Sequence, residues 1–168
     1  MLASLIALHG KEYAQNWAEG VVDNMARRPK GNDRAQATAV AAGVGDLAIM
    51  NTYYMGKMLN SSNKAEVNVA KNLGIIFSSP THINVSGIGL TKYAKNRENA
   101  IKLMKYLSEN EAQKYFASAN YEYPANPEVK PSKLLRAWGE FRPQDLDLTR
   151  LGELNQKAVE IFNKVNWQ

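Results

Sequence analysis

The chain contains no cysteine. That excludes a disulfide framework, a thiolate zinc site, an iron–sulfur cluster and a cysteine nucleophile. No apolar run approaches the roughly 20 residues that a membrane helix needs. The apolar opening, Met1 to Leu8, has no basic n-region and no small-residue cleavage site. It reads as a helix that begins abruptly rather than as a secretory signal. There is no Walker loop and no G-x-S-x-G; Gly87 and Gly89 form G-x-G without its third glycine, which reads as a bulge in a strand. Asp145 and Asp147 are alternate acids in a loop, whereas a glycosidase pair needs a defined separation across a cleft. With no acid–base or nucleophile constellation, an enzyme is not expected.

What is present suits a folded domain. The 168 residues are 45% hydrophobic and 22% charged, which leaves room for a core and argues against wholesale disorder. The net charge of +5 is modest, and the cations are scattered. Their densest cluster is Arg27-Arg28-Pro29-Lys30, whereas nucleic-acid binding usually needs a denser patch. No nucleic-acid partner is expected.

Apolar periodicity predicts helices over 2–8 and 11–25, with Trp17, Val21 and Met25 on one face. Residues 28–33 form a loop by composition, and Asn32 or Asp33 can cap an alanine-rich helix running to about Ala42. Helices are also expected over 53–60, 63–72 and 96–107, and a last one carries Leu148, Leu151, Leu154, Ala158, Ile161, Phe162 and Val165. Ser108 with Glu111 reads as a capping box for another. Short apolar runs at 46–50, 74–77 and 85–90 read as buried strands. The three-proline stretch from Tyr121 to Pro131 is a connection. Strands alternating with a majority of helices predict an α/β fold with a small sheet.

One cluster stands out chemically. Asn51-Thr52-Tyr53-Tyr54 lies where an expected strand ends and a helix begins. Ligands of open α/β sheets bind at such ends, and helix N-termini favour anions. A free phenol ionises near pH ~10, but a trivalent cation favours the phenolate. Phenolate is a hard anionic oxygen donor that suits ferric iron better than it suits soft metals. Adjacent aromatics are common, so spacing alone also allows one ring in the core and one at the surface.

A longer motif surrounds the pair. The stretch Gly43-Val44-Gly45-Asp46-Leu47-Ala48-Ile49-Met50-Asn51-Thr52-Tyr53-Tyr54-Met55-Gly56 resembles the paired-tyrosine motif of periplasmic ferric-iron-binding proteins, the receptors of iron ABC transporters. Arg28-Pro29-Lys30-Gly31-Asn32-Asp33-Arg34 upstream and Tyr121-Glu122-Tyr123-Pro124-Ala125-Asn126-Pro127 downstream are similar to the same family, nearest its cyanobacterial type. The resemblance runs in order along essentially the whole chain.

The resemblance implies a type II periplasmic binding protein, two-lobed, with iron in its cleft. It implies that Tyr53 and Tyr54 bind Fe(III) as phenolates. It implies that Asn51 helps to hold a synergistic anion such as carbonate or phosphate, and that Asn32, Asp33 and Arg34 lie near the same cleft. Arg34 and Lys57 could offset phenolate charge. Implied with them are a periplasmic location and a membrane permease as partner. Family members are about twice as long, and this chain resembles their C-terminal half, so the fold is expected to be incomplete: a fragment, a split gene product or half of an assembly. By the resemblance, residues 1–83 and 134–168 belong to the C-terminal lobe, and 84–133 to a segment returning to the other lobe. The alternative function is a structural or interaction half with little metal affinity alone, which pairs with a missing lobe or a second copy.

The remaining candidates read more plainly. His9 ends a helix, where its charge suits the dipole. His82 lies in Pro80-Thr81-His82 and reads as a loop residue before it reads as a ligand. Tyr13, Tyr93, Tyr106, Tyr115, Tyr121 and Tyr123 are expected to pack, with Tyr121 and Tyr123 pinning the proline-rich link. Trp17, Trp138 and Trp167 read as core or interface.

Overall fold

Short helices account for nearly all the regular structure in the computed structural model, which describes residues 1–167. In chain order they are α1 (Leu2–His9), α2 (Lys11–Asp23), α3 (Asp33–Ala41), α4 (Thr52–Leu59), α5 (Lys64–Lys71), α6 (Arg97–Ser108), α7 (Asn110–Tyr115), α8 (Lys133–Ala137), α9 (Thr149–Glu153) and α10 (Asn155–Lys164). A π-helical turn, Phe116–Asn120, continues α7. Local chemistry sets several of the starts. The Asn32 side chain accepts a hydrogen bond from Ala35 N at 3.2 Å, and that of Asn63 accepts from Ala65 N at 2.9 Å. Each satisfies an amide that the first turn leaves without a carbonyl. Gly10, at φ +88°, separates α1 from α2 in a conformation that glycine adopts without a Cβ penalty.

The chain divides into two compact units. The first comprises Met1–Ala48, Ile76–Asn84 and the residues from Phe141 onward. Its core joins Leu2, Ala3 and Ile6 of α1, Ala14 and Ala18 of α2, and Leu154, Ala158, Ile161 and Val165 near the end of the chain. Trp17 and Trp167 stack at its margin, 6.1 Å apart, and Phe162 meets Trp167 edge-on at 5.1 Å.

The second unit comprises Ile49–Ile75 and Val85–Glu140. Met55 and Met58 of α4 are buried there, as are Ala70 of α5, Ala112 of α7, Ala117 of the π turn, Val129, and Leu135 of α8. Small alanines on the facing elements let the backbones approach. The proline-rich link is tied down by side chains. Gln113 donates to Leu107 O at 2.7 Å and accepts from Ala125 N at 2.8 Å, and the Tyr123 hydroxyl donates to Leu135 O at 3.4 Å.

Three sequence expectations need correction. The runs at 46–50, 74–77 and 85–90 are not strands. Among the described residues the β-pairing is a single isolated parallel bridge, Thr81 to Pro143, so the small sheet expected for an α/β fold is not seen. Leu47 is 78% exposed and Ile76 80% exposed. An apolar run says what a strand would bury, but its amides and carbonyls need a second extended segment roughly 4.8 Å away. No described neighbour supplies one.

The capping box also fails, because Ser108 remains the last residue of α6 and its hydroxyl donates back to Met104 O at 3.2 Å. The last helix is two, broken at Leu154. The apolar spacing continues through the break, so periodicity alone does not register it.

Candidate functional site

The paired tyrosines open α4. Asn51 takes the N-cap position with extended backbone, and its carbonyl accepts from Tyr54 N at 3.2 Å. Tyr53 and Tyr54 therefore lie in the first turn, where the backbone amides make the helix end electropositive. Their ring centroids are 4.3 Å apart with planes inclined by 34°. Both side chains are half-buried, so the rings pack while solvent still reaches the residues. The next residues, Met55, Gly56 and Met58, are buried and anchor the helix in the second unit. Lys57 places Nζ 5.1 Å from the centroid of the Tyr53 ring, a cation–π contact.

Asn51, Tyr53 and Tyr54 thus share the start of one helix, and Lys57 of its last turn reaches back over the Tyr53 ring. Asn32, Asp33 and Arg34 open α3, which belongs to the first unit. The loop before them is held locally. Arg27 donates to Gln36 Oε1 at 3.0 Å, and Gln36 donates to Lys30 O at 2.7 Å.

A contact between Gly56, inside the tyrosine helix, and Tyr121 escapes the sequence. A Cβ added at Gly56 would overlap Cβ and Cγ of Tyr121 and stand 2.9 Å from its Cδ2. The signal for this was a glycine inside an otherwise apolar helical pattern. Tyr121 itself was read as a pin of the link.

His9 ends α1, its ring centroid 4.6 Å from that of Tyr13. His82 has both ring nitrogens engaged, Nδ1 with Gln144 Oε1 at 3.2 Å and Nε2 with Asn84 Oδ1 at 3.0 Å. Burial pushes its pKa below the usual histidine value, and these two hydrogen bonds only partly oppose that. The unfolded chain then binds more protons than the folded one between the folded pKa and about 6.5, so stability falls as the pH drops through that window. The thermal midpoint is expected to fall between pH 7.5 and 5.0, and less steeply in His82→Gln. An equal slope in the variant would remove His82 as a cause.

Among the described residues no helix is long and apolar enough to cross a membrane. Nor is there a cluster of three or more histidine, aspartate or glutamate side chains able to hold a metal ion.

The family model for bacterial extracellular solute-binding proteins matches residues 1–141, and the chain belongs to that family, which binds solutes and is not enzymatic. Within it, the similarity is to ferric receptors. Iron uptake protein A1 of Synechocystis sp. is 41% identical over 172 aligned residues, which cover 100% of this chain and 48% of that protein. The ferric binding protein of Campylobacter jejuni superposes with a TM-score of 0.93 at 42% identity, over 98% of this chain and 53% of that one. A Trichodesmium protein solved in complex with iron and citrate gives a TM-score of 0.93 at 41% identity, over 99% of this chain and 54% of its own. The chain is thus a homologue of ferric-iron-binding periplasmic solute-binding proteins. It spans about half the length of the relatives it matches, and its fold is a partial type II periplasmic-binding-protein fold.

Proposed function

We propose that the chain is the part of a ferric-iron receptor that supplies two phenolate ligands, Tyr53 and Tyr54, and that it serves an ABC permease in the periplasm. The observation that carries this reading is the pair of half-buried phenol rings, 4.3 Å apart, in the first turn of α4. Homology to proteins named for iron uptake and for ferric binding supports the choice of metal. The positive helix end and Lys57 offset the charge of the phenolates as they form. Two ligands leave further positions on the metal for other donors. Asn51, at the start of the same helix, is proposed to serve a bound anion such as carbonate or phosphate. No substrate bond is broken. One-electron reduction by an external reductant would favour release, because phenolates hold Fe(II) less well than Fe(III).

Titration with ferric citrate tests this by visible absorption. The expected result is a saturable tyrosinate-to-iron charge-transfer band at one iron per chain. A folded chain that develops no band would overturn the reading.

One set of residues favours a second reading, in which the chain is an interaction half. Leu47 and Ile76 of the first unit, and Ile49, Val85 and Ile88 of the second, are large apolar side chains exposed outside any helix or strand. Under this reading they are covered by the half of the relatives' length that this chain does not match. Size-exclusion chromatography with light scattering, on the chain alone and mixed with the other half of Synechocystis iron uptake protein A1, separates the two. A stable one-to-one complex supports the second reading, and a monomer indifferent to the added half counts against it.

A further inference from the structure

The contact between Gly56 and Tyr121 has two unusual sides. Gly56 sits inside α4, where glycine weakens a helix relative to alanine. Tyr121 adopts φ 58° and ψ 35°, a left-handed conformation that non-glycine residues seldom take and that a bulky side chain strains. It does so directly after the π turn Phe116–Asn120, and such turns recur at functional sites. Each departure makes sense in light of the other. With no side chain at Gly56, the Tyr121 Cβ and ring can lie against the backbone of α4 where any Cβ would overlap them. The left-handed turn aims that ring.

An isolated helix of eight residues is not stable in water, so the direction of α4 is set by what it packs against. Gly56 follows Tyr53 by three residues and so lies on the same face, one turn on. The geometry points to Tyr121 as a positioning residue: its ring, wedged at Gly56, fixes α4 so that the Tyr53 and Tyr54 phenols are held together for the metal. This rests on the ferric reading for its consequence but not for its geometry, and the test separates the two.

Three variants are compared: Tyr121→Phe, Tyr121→Gly and Gly56→Ala. The first keeps the ring, the second removes it while relieving the backbone, and the third inserts the forbidden Cβ. In the metal-free chain, NMR of labelled tyrosines reads the ring signals of Tyr53 and Tyr54 against those of Tyr13 and Tyr93. The expected result is that Tyr121→Gly and Gly56→Ala shift or broaden the Tyr53 and Tyr54 signals selectively, while Tyr121→Phe leaves them in place. With ferric citrate, the same two variants are expected to show a displaced charge-transfer band and affinity lower by roughly 10–100-fold, the usual loss when an outer partner of a ligand is removed. If Gly56→Ala does not fold, Tyr121→Gly alone decides. Unmoved Tyr53 and Tyr54 signals in Tyr121→Gly overturn the inference whatever iron does. Moved signals in a chain whose wild type binds no iron overturn the ferric reading and leave the positioning role standing.

Discussion

Replacing Tyr53 and Tyr54 together with phenylalanine is expected to abolish the ferric charge-transfer band and leave the chain folded. The two consequences have separate physical sources. The rings contribute packing, with centroids 4.3 Å apart and both side chains half-buried. Phenylalanine keeps those rings and their packing, so the chain should still unfold cooperatively, at a similar midpoint. The oxygens contribute the ligand field. Without them α4 offers no anionic donor in its first turn, because Glu and Asp are absent there. Affinity measured by competition with citrate should fall at least about a hundredfold, which corresponds to roughly 2.8 kcal/mol of binding free energy. Each single variant should keep a weaker band, since one phenolate still donates. If the double variant binds as tightly as wild type, or keeps its band, the phenolate assignment is wrong. If it unfolds, packing and ligation have not been separated, and the single variants then decide by band position.

The second large effect concerns two isoleucines of the same unit. Ile161→Ala is expected to destabilise the chain by about 2–5 kcal/mol, the range for truncating a packed core side chain. Ile161 is 1% exposed and sits among Leu2, Ile6, Ala14, Ala18 and Ala158, so the cavity opens where α1, α2 and α10 meet. Ile76→Ala is expected to cost no more than about 0.5 kcal/mol, because Ile76 is 80% exposed and lies outside the helices and any strand. Urea unfolding of both variants checks this through the midpoint at an unchanged slope. A loss at Ile76 comparable to that at Ile161 would mean that the 74–77 run is packed after all. That would restore the strand expected from its composition.

The contrast between these two side chains marks the limit of sequence reading. Both sit in apolar patterns. Ile161 belongs to a helical one, and a helix bonds each amide to a carbonyl four residues back, so its pattern carries nearly everything needed to form it. The start of α3 was legible for the same reason, since the Asn32 side chain acts within its own first turn. The Tyr53–Tyr54 pair was legible because adjacency on one short helix puts both rings in the same place. Ile76 belongs to a pattern that specifies a strand only if another extended segment lies alongside it.

By itself, then, the sequence determined most of the helices but not α8, many of their boundaries, the phenol pair at a helix start and the resemblance that identified the family. Each depends on residues within about one turn of one another, or on a motif read in order. Only the tertiary structure decided that the apolar runs stay unpaired, that the last helix breaks at Leu154, and that Tyr121 meets the bare backbone of Gly56. Those outcomes depend on segments far apart along the chain. No local pattern records which distant backbone will come near enough to bond or to collide.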